Sequence, residues 1–384
     1  MGRTLVITND FPPRPGGIQT FGFEMVRRFD PASVTVLTST WDECEKFDAA
    51  QSFEIVRAST QTLLPTRKTL HLARQLVLSG NVTRVLFGAA APLGLLARPL
   101  RELGVEHIVG MTQGHETGWA MTPGTRQALR KIGNDVDTLT YISGYTKSKI
   151  RKALSPEAAT KMRAVVPGVD VTEFNPRNKV EGKLLREQIG LGNRPVIVCV
   201  SRLMARKGQD TLIEALPEIA KAIPNVALII VGDGPYRPDL EKMVSRLNLS
   251  GDVHFTGKVD QEKLAHWYAA GDVFAMPCRT RMGGWDVEGL GIVFLEGSAT
   301  GLPVVVGDSG GAVDAVQDGV TGFLVDGKSQ EAVVSRIIKI LSDADLAKQL
   351  GAAGRDWVTQ SWTWDHSFAR LNSLLHGQDP DALA

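Results

Sequence analysis

The chain has 384 residues, and at roughly 100–200 residues per domain this length favours two domains over one. Apolar residues make up 43% and charged residues 22%, the balance of a soluble globular protein, which excludes disordered, collagenous and coiled-coil architectures. Its 43 basic and 42 acidic residues leave a formal charge of +1, so the overall electrostatics give no case for nucleic acid as a partner.

The first apolar run, Leu5-Val6-Ile7, is interrupted by Asn9-Asp10; it is too short for a signal-peptide core and predicts a strand over residues 4–8. Four more strands are predicted over 34–39, 84–87, 106–111 and 138–143, with amphipathic segments between them. Val165-Val166-Pro167-Gly168-Val169-Asp170 then reads as a turn, and the polar stretch 177–182 as a linker. The alternation restarts with strands predicted over 196–201, 227–231, 253–256, 273–276, 304–306 and 322–325. Residues 344–375 read as helical, with Trp357, Trp362 and Trp364 close together, and 378–384 as a frayed end. Strand alternating with helix is the signature of a parallel sheet covered on both faces, so the fold class is α/β with two doubly wound, Rossmann-like units.

No apolar run reaches the ~20 residues that a spanning helix needs. Cys44, Cys199 and Cys278 lie far apart without metal-ligand spacing, which fits a reducing, cytoplasmic location. Residues 57–131 are biased: Arg57, Arg67, Lys68, Arg74, Arg84, Arg98, Arg101, Arg126, Arg130 and Lys131 face only Glu102, Glu106 and Glu116. Two readings stand, solvated helix faces or a surface drawn to anionic lipid, where each nearby cation contributes about 1 kcal/mol. Within it, 63–78 sets Leu70, Leu72, Leu76 and Val77 among Arg67, Lys68 and Arg74, as either a packed or an interfacial helix would.

Four motifs follow strands and carry chemistry. After the first strand, Pro12-Pro13-Arg14-Pro15-Gly16-Gly17-Ile18 precedes a helix expected from Gln19; bare glycine backbone and a helix N-terminus suit a phosphate, or simply a turn. After the strand at 196–201, Arg202 and Lys207 flank a loop from which a guanidinium fork and an ammonium can converge on one diphosphate, with Arg206 able to share the role. Gly232-Asp233-Gly234-Pro235 and the Gly257-Lys258-Val259 stretch end the next two strands at the edge where doubly wound folds bind ligands, and Lys258 and Val259 could read a base. In residues 285–296, Glu288 precedes a helix whose Gly289, Leu290 and Gly291 amides favour an anion or hydroxyls, with Glu296 two turns inside it. Carboxylates so near apolar residues are costly unless they hold something, and as pure acceptors they suit sugar and ribose hydroxyls.

Together Gly16-Gly17, Ser143 with Lys147, Pro167-Gly168-Val169-Asp170 with Phe174 and Pro176, Arg202 with Lys207-Gly208, Gly232-Asp233-Gly234-Pro235, and Glu288-Gly289-Leu290-Gly291 with Glu296 resemble the retaining glycosyltransferases of the GT-B fold, family four. More narrowly, Asp10-Phe11-Pro12-Pro13 and residues 202–210 resemble the actinobacterial GDP-mannose-dependent mannosyltransferases that act on phosphatidylinositol mannosides. The resemblance implies an acceptor domain over 1–168, a nucleotide-sugar domain over 169–359, a helix at about 360–384 returning to the first, and a cleft between facing domains. It implies that Arg202 and Lys207 meet the donor diphosphate with Gly16 and Gly17 opposite, that Glu296 holds the ribose, and that Glu288 and the 289–291 amides hold the hexose. Lys258 and Val259 would edge the guanine, and His115, in Gln113-Gly114-His115-Glu116, would lie near the hexose. Asp10, Arg14, Gln19 and Thr20 are the acceptor candidates.

Stabilising the departing diphosphate is then the main lever, by fixed cations and amides, without a metal or other cofactor. A retaining glycosidase would instead flank the scissile bond with carboxyls about 5–5.5 Å apart, and Glu288 and Glu296 could pose as that pair. Asp135-Val136-Asp137 has the letters of metal-dependent transferases, but it precedes a strand, at the edge opposite the ligand. A nucleotide-sugar 2-epimerase, a transferase using UDP-glucose or UDP-N-acetylglucosamine, and a sugar-nucleotide sensor remain as rivals; a sensor has no need of the full charge set. The partners expected are a nucleotide sugar, a lipid acceptor and the anionic inner face of the plasma membrane.

Overall fold

The computed structural model describes residues 2–381, which form two compact units, 2–168 with 364–381, and Val169–Thr363. In chain order the first contains β1 (Arg3–Thr8), α1 (Gly17–Val26), β2 (Val34–Ser39), α2 (Cys44–Ala49), β3 (Glu54–Ala58), α3 (Arg67–Ser79), β4 (Val82–Phe87) and α4 (Ala97–Arg101). It continues with β5 (His107–Gly110), α5 (Glu116–Met121), α6 (Pro123–Asp135), β6 (Thr138–Tyr141), α7 (Gly144–Arg151), α8 (Pro156–Thr160) and β7 (Met162–Ala164). The second contains α9 (Lys179–Gln188), β8 (Val196–Val200), α10 (Gln209–Ala222), β9 (Ala227–Val231), α11 (Arg237–Arg246), β10 (Val253–Gly257) and α12 (Gln261–Ala269). β11 (Val273–Met276), α13 (Ile292–Ala299), β12 (Val304–Gly307), β13 (Gly322–Val325), α14 (Gln330–Leu341) and α15 (Ala344–Ser361) complete it, and α16 (Trp364–Leu375) belongs to the first unit.

Both sheets are parallel, in the orders β3-β2-β1-β4-β5-β6-β7 and β10-β9-β8-β11-β12-β13. Central strands such as β8, Val-Ile-Val-Cys-Val, are buried on both faces, as β-branched runs between helix layers must be. In each sheet the strand order reverses beside the first strand, at β1/β4 and β8/β11, the topological point at which such folds bind ligands. In the second unit Phe274 of β11 stacks on Tyr268 of α12 at 5.5 Å and meets Phe294 of α13 edge-on at 5.7 Å. This aromatic chain fixes the helix that carries Glu296.

Several expectations need correction. Residues 177–182 are not a linker: a 3₁₀ turn at Pro176–Asn178 runs into α9. A Cβ at Gly182 would lie 2.4 Å from the Ala269 carbonyl, so this polar stretch is the outer face of a closely packed helix. β3 and β7 escaped sequence reading because β3 mixes Glu54 and Arg57 into an edge strand and β7 has three residues. The tryptophans divide, Trp357 packing on Trp362 at 5.4 Å in one unit and Trp364 on Phe21 at 5.8 Å in the other.

The basic run of 57–131 is only in part a surface. Arg57 is ion-paired to Asp48 at 2.7 Å and donates to the Pro12 carbonyl at 2.6 Å, while Arg84 donates to Thr4 Oγ1 and Arg101 to Asp137. Most of the segment 63–78 is the packed helix α3, which starts at Arg67: Thr69, Ala73 and Val77 are buried, and Leu70, Leu72 and Leu76 rest on the core. Arg67, Lys68, Arg74 and Leu78 remain on its outer face.

Arg355 of α15 ties the start of the second unit to its body, donating to the carbonyls of Val171 at 2.9 Å and of Phe174 and Ala299 at 2.7 Å. Arg355→Met removes all three bonds, and a loss of about 2–4 kcal/mol in urea-unfolding stability is expected, since partly buried acceptors left unpaired are costly.

Candidate functional site

In the second unit the loops that leave β8, β9 and β10 lock together. Leu203 N donates to the Asp233 carbonyl at 3.0 Å, Tyr236 N to the Leu203 carbonyl at 3.2 Å, and Gly232 N to the Gly257 carbonyl at 3.0 Å. Gly232 has φ +123°, and a Cβ there would stand 2.2 Å from the Ser201 carbonyl. Loop packing therefore accounts for the Gly-Asp-Gly-Pro motif.

The 3₁₀ turn Ala205–Lys207 ends at Gly208, with φ +79°, where a Cβ would come within 2.1 Å of the Pro277 carbonyl. Gln209, fully buried, donates to Ser201 Oγ at 2.8 Å and to the Arg202 carbonyl at 3.2 Å. Arg279 N donates to the Arg206 carbonyl at 2.8 Å, and its guanidinium grips Asp210 at 2.5 Å.

So held, Lys207 is only 8% exposed and places Nζ 2.6 Å from Oε2 of Glu288, itself 7% exposed. Arg206 lies 4.0 Å from the same oxygen and 3.6 Å from Asp286, which also pairs with Arg281 at 3.4 Å. The Glu288 backbone is fixed by Ser309 Oγ, which accepts its N–H at 3.3 Å, and by Gly311 N, which donates to its carbonyl at 2.9 Å. Glu288 Oε2 is held by the Lys207 ion pair, while Arg206 Nε and Gln209 Oε1 are buried with no hydrogen-bond partner. The amides of Gly289, Leu290 and Gly291 likewise donate no backbone hydrogen bond among the described residues. Unmet bonding capacity concentrated at one sheet edge marks a site for a polar, charged ligand.

Glu296 is the fifth residue of α13, just over one turn in, not two as expected. Tyr268 Oη donates to its Oε2 at 2.5 Å, yet burial pushes the carboxyl up to about 7, against the pull of that hydroxyl. Burial also pushes the Cys199 thiol up to about 12 and raises Cys278 further, so neither supplies a thiolate.

In the first unit α1 begins at Gly17, two residues earlier than expected. Gly16 has φ +149°, and a Cβ there would lie 2.2 Å from Gln19 Oε1, whereas a Cβ at Gly17 would meet nothing within 4 Å. The positive-φ backbone thus favours glycine at 16, and open space lies at 17. Gln19 is buried and donates to Asp10 Oδ1 at 2.8 Å; Thr20 Oγ1 donates to the Gly16 carbonyl at 3.1 Å, and Arg14 lies 5.0 Å over the Trp41 ring. His115 stands exposed before α5, its Nε2 3.4 Å from Oε1 of the fully buried Glu116. Burial raises the Glu116 carboxyl, while its other oxygen accepts the Gln113 N–H at 2.9 Å. Ser143 caps α7, and Asp137 accepts from Arg101 and the Ile108 N–H, so the Asp-x-Asp letters serve a helix-to-strand turn.

The structure therefore joins Arg206, Lys207 and Glu288. Arg202 and Lys258 are exposed in neighbouring strand-end loops, Val259 is half-buried, and none of the three is ion-paired or side-chain hydrogen-bonded to that cluster. Glu296 is held separately by Tyr268. Sequence reasoning missed Asp286, Gln209, Arg279 and Glu116. The strand-end rule could have found Arg279, which follows β11 at the same edge as Arg202; the full burial of Gln209 and Glu116 and the Arg206 partner of Asp286 come from the tertiary structure.

Two parallel sheets, each with a switch point, are the architecture of the GT-B fold, and the known structures agree. Anabaena HepE in complex with UDP superposes with a TM-score of 0.80 over 98% of this chain and 100% of its own, at 19% identity. Residues 183–357 match the family described as Glycosyl transferases group 1. The GDP-mannose-dependent alpha-(1-6)-phosphatidylinositol monomannoside mannosyltransferase of Mycobacterium tuberculosis is 44% identical over 99% of both chains, and its namesake from Mycolicibacterium smegmatis 46% identical over 97% of this chain and 98% of its own. The chain belongs to the mannosyltransferase family that these two proteins represent.

Two outcomes follow. Between the ordinary carboxyl value of 4.5 and about 7 the folded chain keeps a Glu296 proton that the unfolded chain has lost, so this group's contribution to stability falls as pH rises through that window and is level above it. Glu296→Gln should flatten that slope relative to the wild type in urea titrations from about pH 5 to about pH 8. Lys207→Ala strands the Glu288 charge and should cost about 3–5 kcal/mol, while Lys207→Met with Glu288→Leu should recover most of the loss in the same titrations.

Proposed function

We propose that this chain transfers mannose from GDP-mannose to a phosphatidylinositol mannoside with retention of configuration, without a metal. The observation that carries this reading is the buried Lys207–Glu288 pair with Arg206 beside it, at the switch-point edge of a chain 44–46% identical to the two mycobacterial mannosyltransferases.

The roles follow from the chemistry of each group. Arg202, Lys207 and Arg206 take the donor diphosphate, Arg202 by its free fork and the other two from a site shielded from water, where fixed charge acts most strongly on a leaving group. When the diphosphate reaches Lys207, the Glu288 carboxylate is freed to accept from hexose hydroxyls, and the 289–291 amides complete that cradle. Glu296, ionised as pH passes about 7, accepts from the ribose. Lys258 and Val259 edge the guanine. In the first unit Gly16 and Gly17 admit the phosphate, His115 is braced by Glu116 for the hexose, and Gln19 holds Asp10 so that Asp10, Arg14 and Thr20 meet the acceptor head. The attacking hydroxyl approaches on the face from which the diphosphate departs, with no covalent glycosyl-enzyme. A trapped glycosyl-enzyme would overturn that step.

The enzyme works at the cytoplasmic face of the plasma membrane, drawn to anionic lipid by Arg67, Lys68 and Arg74 on the outer face of α3. No helix among the described residues is long and apolar enough to cross a membrane.

The test offers GDP-mannose, UDP-glucose and UDP-N-acetylglucosamine separately with extracted membrane lipids and follows donor loss and hexose gain in each lipid. GDP-mannose alone should be consumed, and the phosphatidylinositol mannoside fraction should gain one hexose; a new nucleotide sugar without lipid labelling would identify an epimerase instead. Chelator should leave the rate unchanged. Arg202→Ala, at an exposed position, should fold normally and lower kcat by about 10²–10³-fold, the scale of one lost charge-stabilising contact.

A further inference from the structure

The turn between β11 and α13 carries two of the most exposed large apolar side chains of the described residues, Met282 at 74% and Trp285 at 59%. Met282, Gly283 and Gly284 all have positive φ, at +50°, +63° and +100°, a tight turn that a methionine enters only against steric resistance. The turn is closed by an antiparallel bridge in which Arg281 N donates to the Asp286 carbonyl at 2.9 Å, and by the Arg281–Asp286 ion pair. Asp286 also reaches Arg206, so the apolar tip is mounted on the charge chain that ends at Glu288.

Resting on the lipid-acceptor reading above, we propose that the Met282–Trp285 tip enters the bilayer interface from which the acceptor is drawn. An indole with one polar edge, a flexible thioether and an adjoining guanidinium are the combination that settles at the boundary between headgroups and acyl chains. A sugar-stacking role would use Trp285 but not Met282, which is the more exposed of the two. The tip supplies an apolar, salt-resistant component of membrane binding, and the α3 cations supply a salt-sensitive one.

The full chain is sedimented with vesicles of phosphatidylcholine and phosphatidylinositol at low salt and at about 0.5 M KCl, where charge attraction is screened. Wild-type binding should persist in part at high salt. Met282→Ser with Trp285→Ser should lower the high-salt partition about tenfold, in keeping with the apolar area withdrawn. Trp285→Leu alone, which keeps apolar area, should retain most of it. In parallel, kcat/KM of the double variant should fall about tenfold for the vesicle-borne lipid acceptor and stay unchanged for a deacylated, water-soluble inositol mannoside. Equal high-salt binding by wild type and double variant overturns the inference, as does an equal loss on both acceptors, which would place the tip on sugar. Should the wild type transfer mannose to neither acceptor, the reading of function fails, while the sedimentation result still decides the role of the tip.

Discussion

The charged sheet edge of the second unit depends on the burial of one ion pair. A lysine and a glutamate removed from water are stable only if each stays within reach of the other, because the desolvation of either alone exceeds what an exposed pair would gain. Lys207 and Glu288 belong to loops eighty residues apart, so their meeting at 2.6 Å requires both loops to be fixed from behind. Gln209 and Arg279 do this for the first loop, and Ser309 and Gly311 for the second. The glycines at 208 and 310 are there because backbone must pass where a side chain would stand: a Cβ at Gly310 would lie 2.2 Å from the Glu288 carbonyl.

That pair is poised rather than saturated. Nε of Arg206 is buried without a hydrogen-bond partner, and the acids Asp286 and Glu288 hold the cations in place, which on the proposed reading keeps them ready for a diphosphate. On the function proposed above, a ligand with negative oxygens and neighbouring hydroxyls would satisfy both partners at once, the cations by phosphate and the carboxylate by sugar. The surroundings remove competing chemistry, since the nearby thiols are held protonated by burial. Glu296 is treated differently, its carboxyl pushed up to about 7 by burial and bonded to a tyrosine, so its charge state changes near neutral pH.

The fold was legible where strands are buried on both faces, because β-branched runs such as those of β8 and β9 leave no other assignment. It was illegible at the sheet edges, where β3 carries charges, and in α9, whose polar outer face has the composition of a linker. Within the site, residues whose role is local, such as Gly208, Lys207 and the segment from Glu288 to Gly291, could be read from strand-end position. Asp286 and Glu116 could not, because what makes them notable is a partner or a degree of burial supplied by the tertiary structure. Composition was most misleading for the basic run of the first unit. Arg57, Arg84 and Arg101 count there as surface charge, yet each is bonded to backbone or to an acid inside the unit.

Sorting those cations changes what a membrane can feel. Arg98 and Lys131 face Glu102 and Asp135 one turn away, which offsets their charge, whereas Arg67, Lys68 and Arg74 share one helix with no acid on it. On the membrane-surface reading proposed above, three such charges would contribute about 3 kcal/mol at low ionic strength and progressively less as salt screens them, a weak and reversible attachment. An enzyme that must take successive lipid molecules from a surface gains nothing from a tighter grip, because release would then limit turnover. On that proposed reading, weak charge attraction over a packed helix suits lipid transfer better than a buried amphipathic anchor, and the core contacts of Leu70, Leu72 and Leu76 already commit α3 to the protein interior.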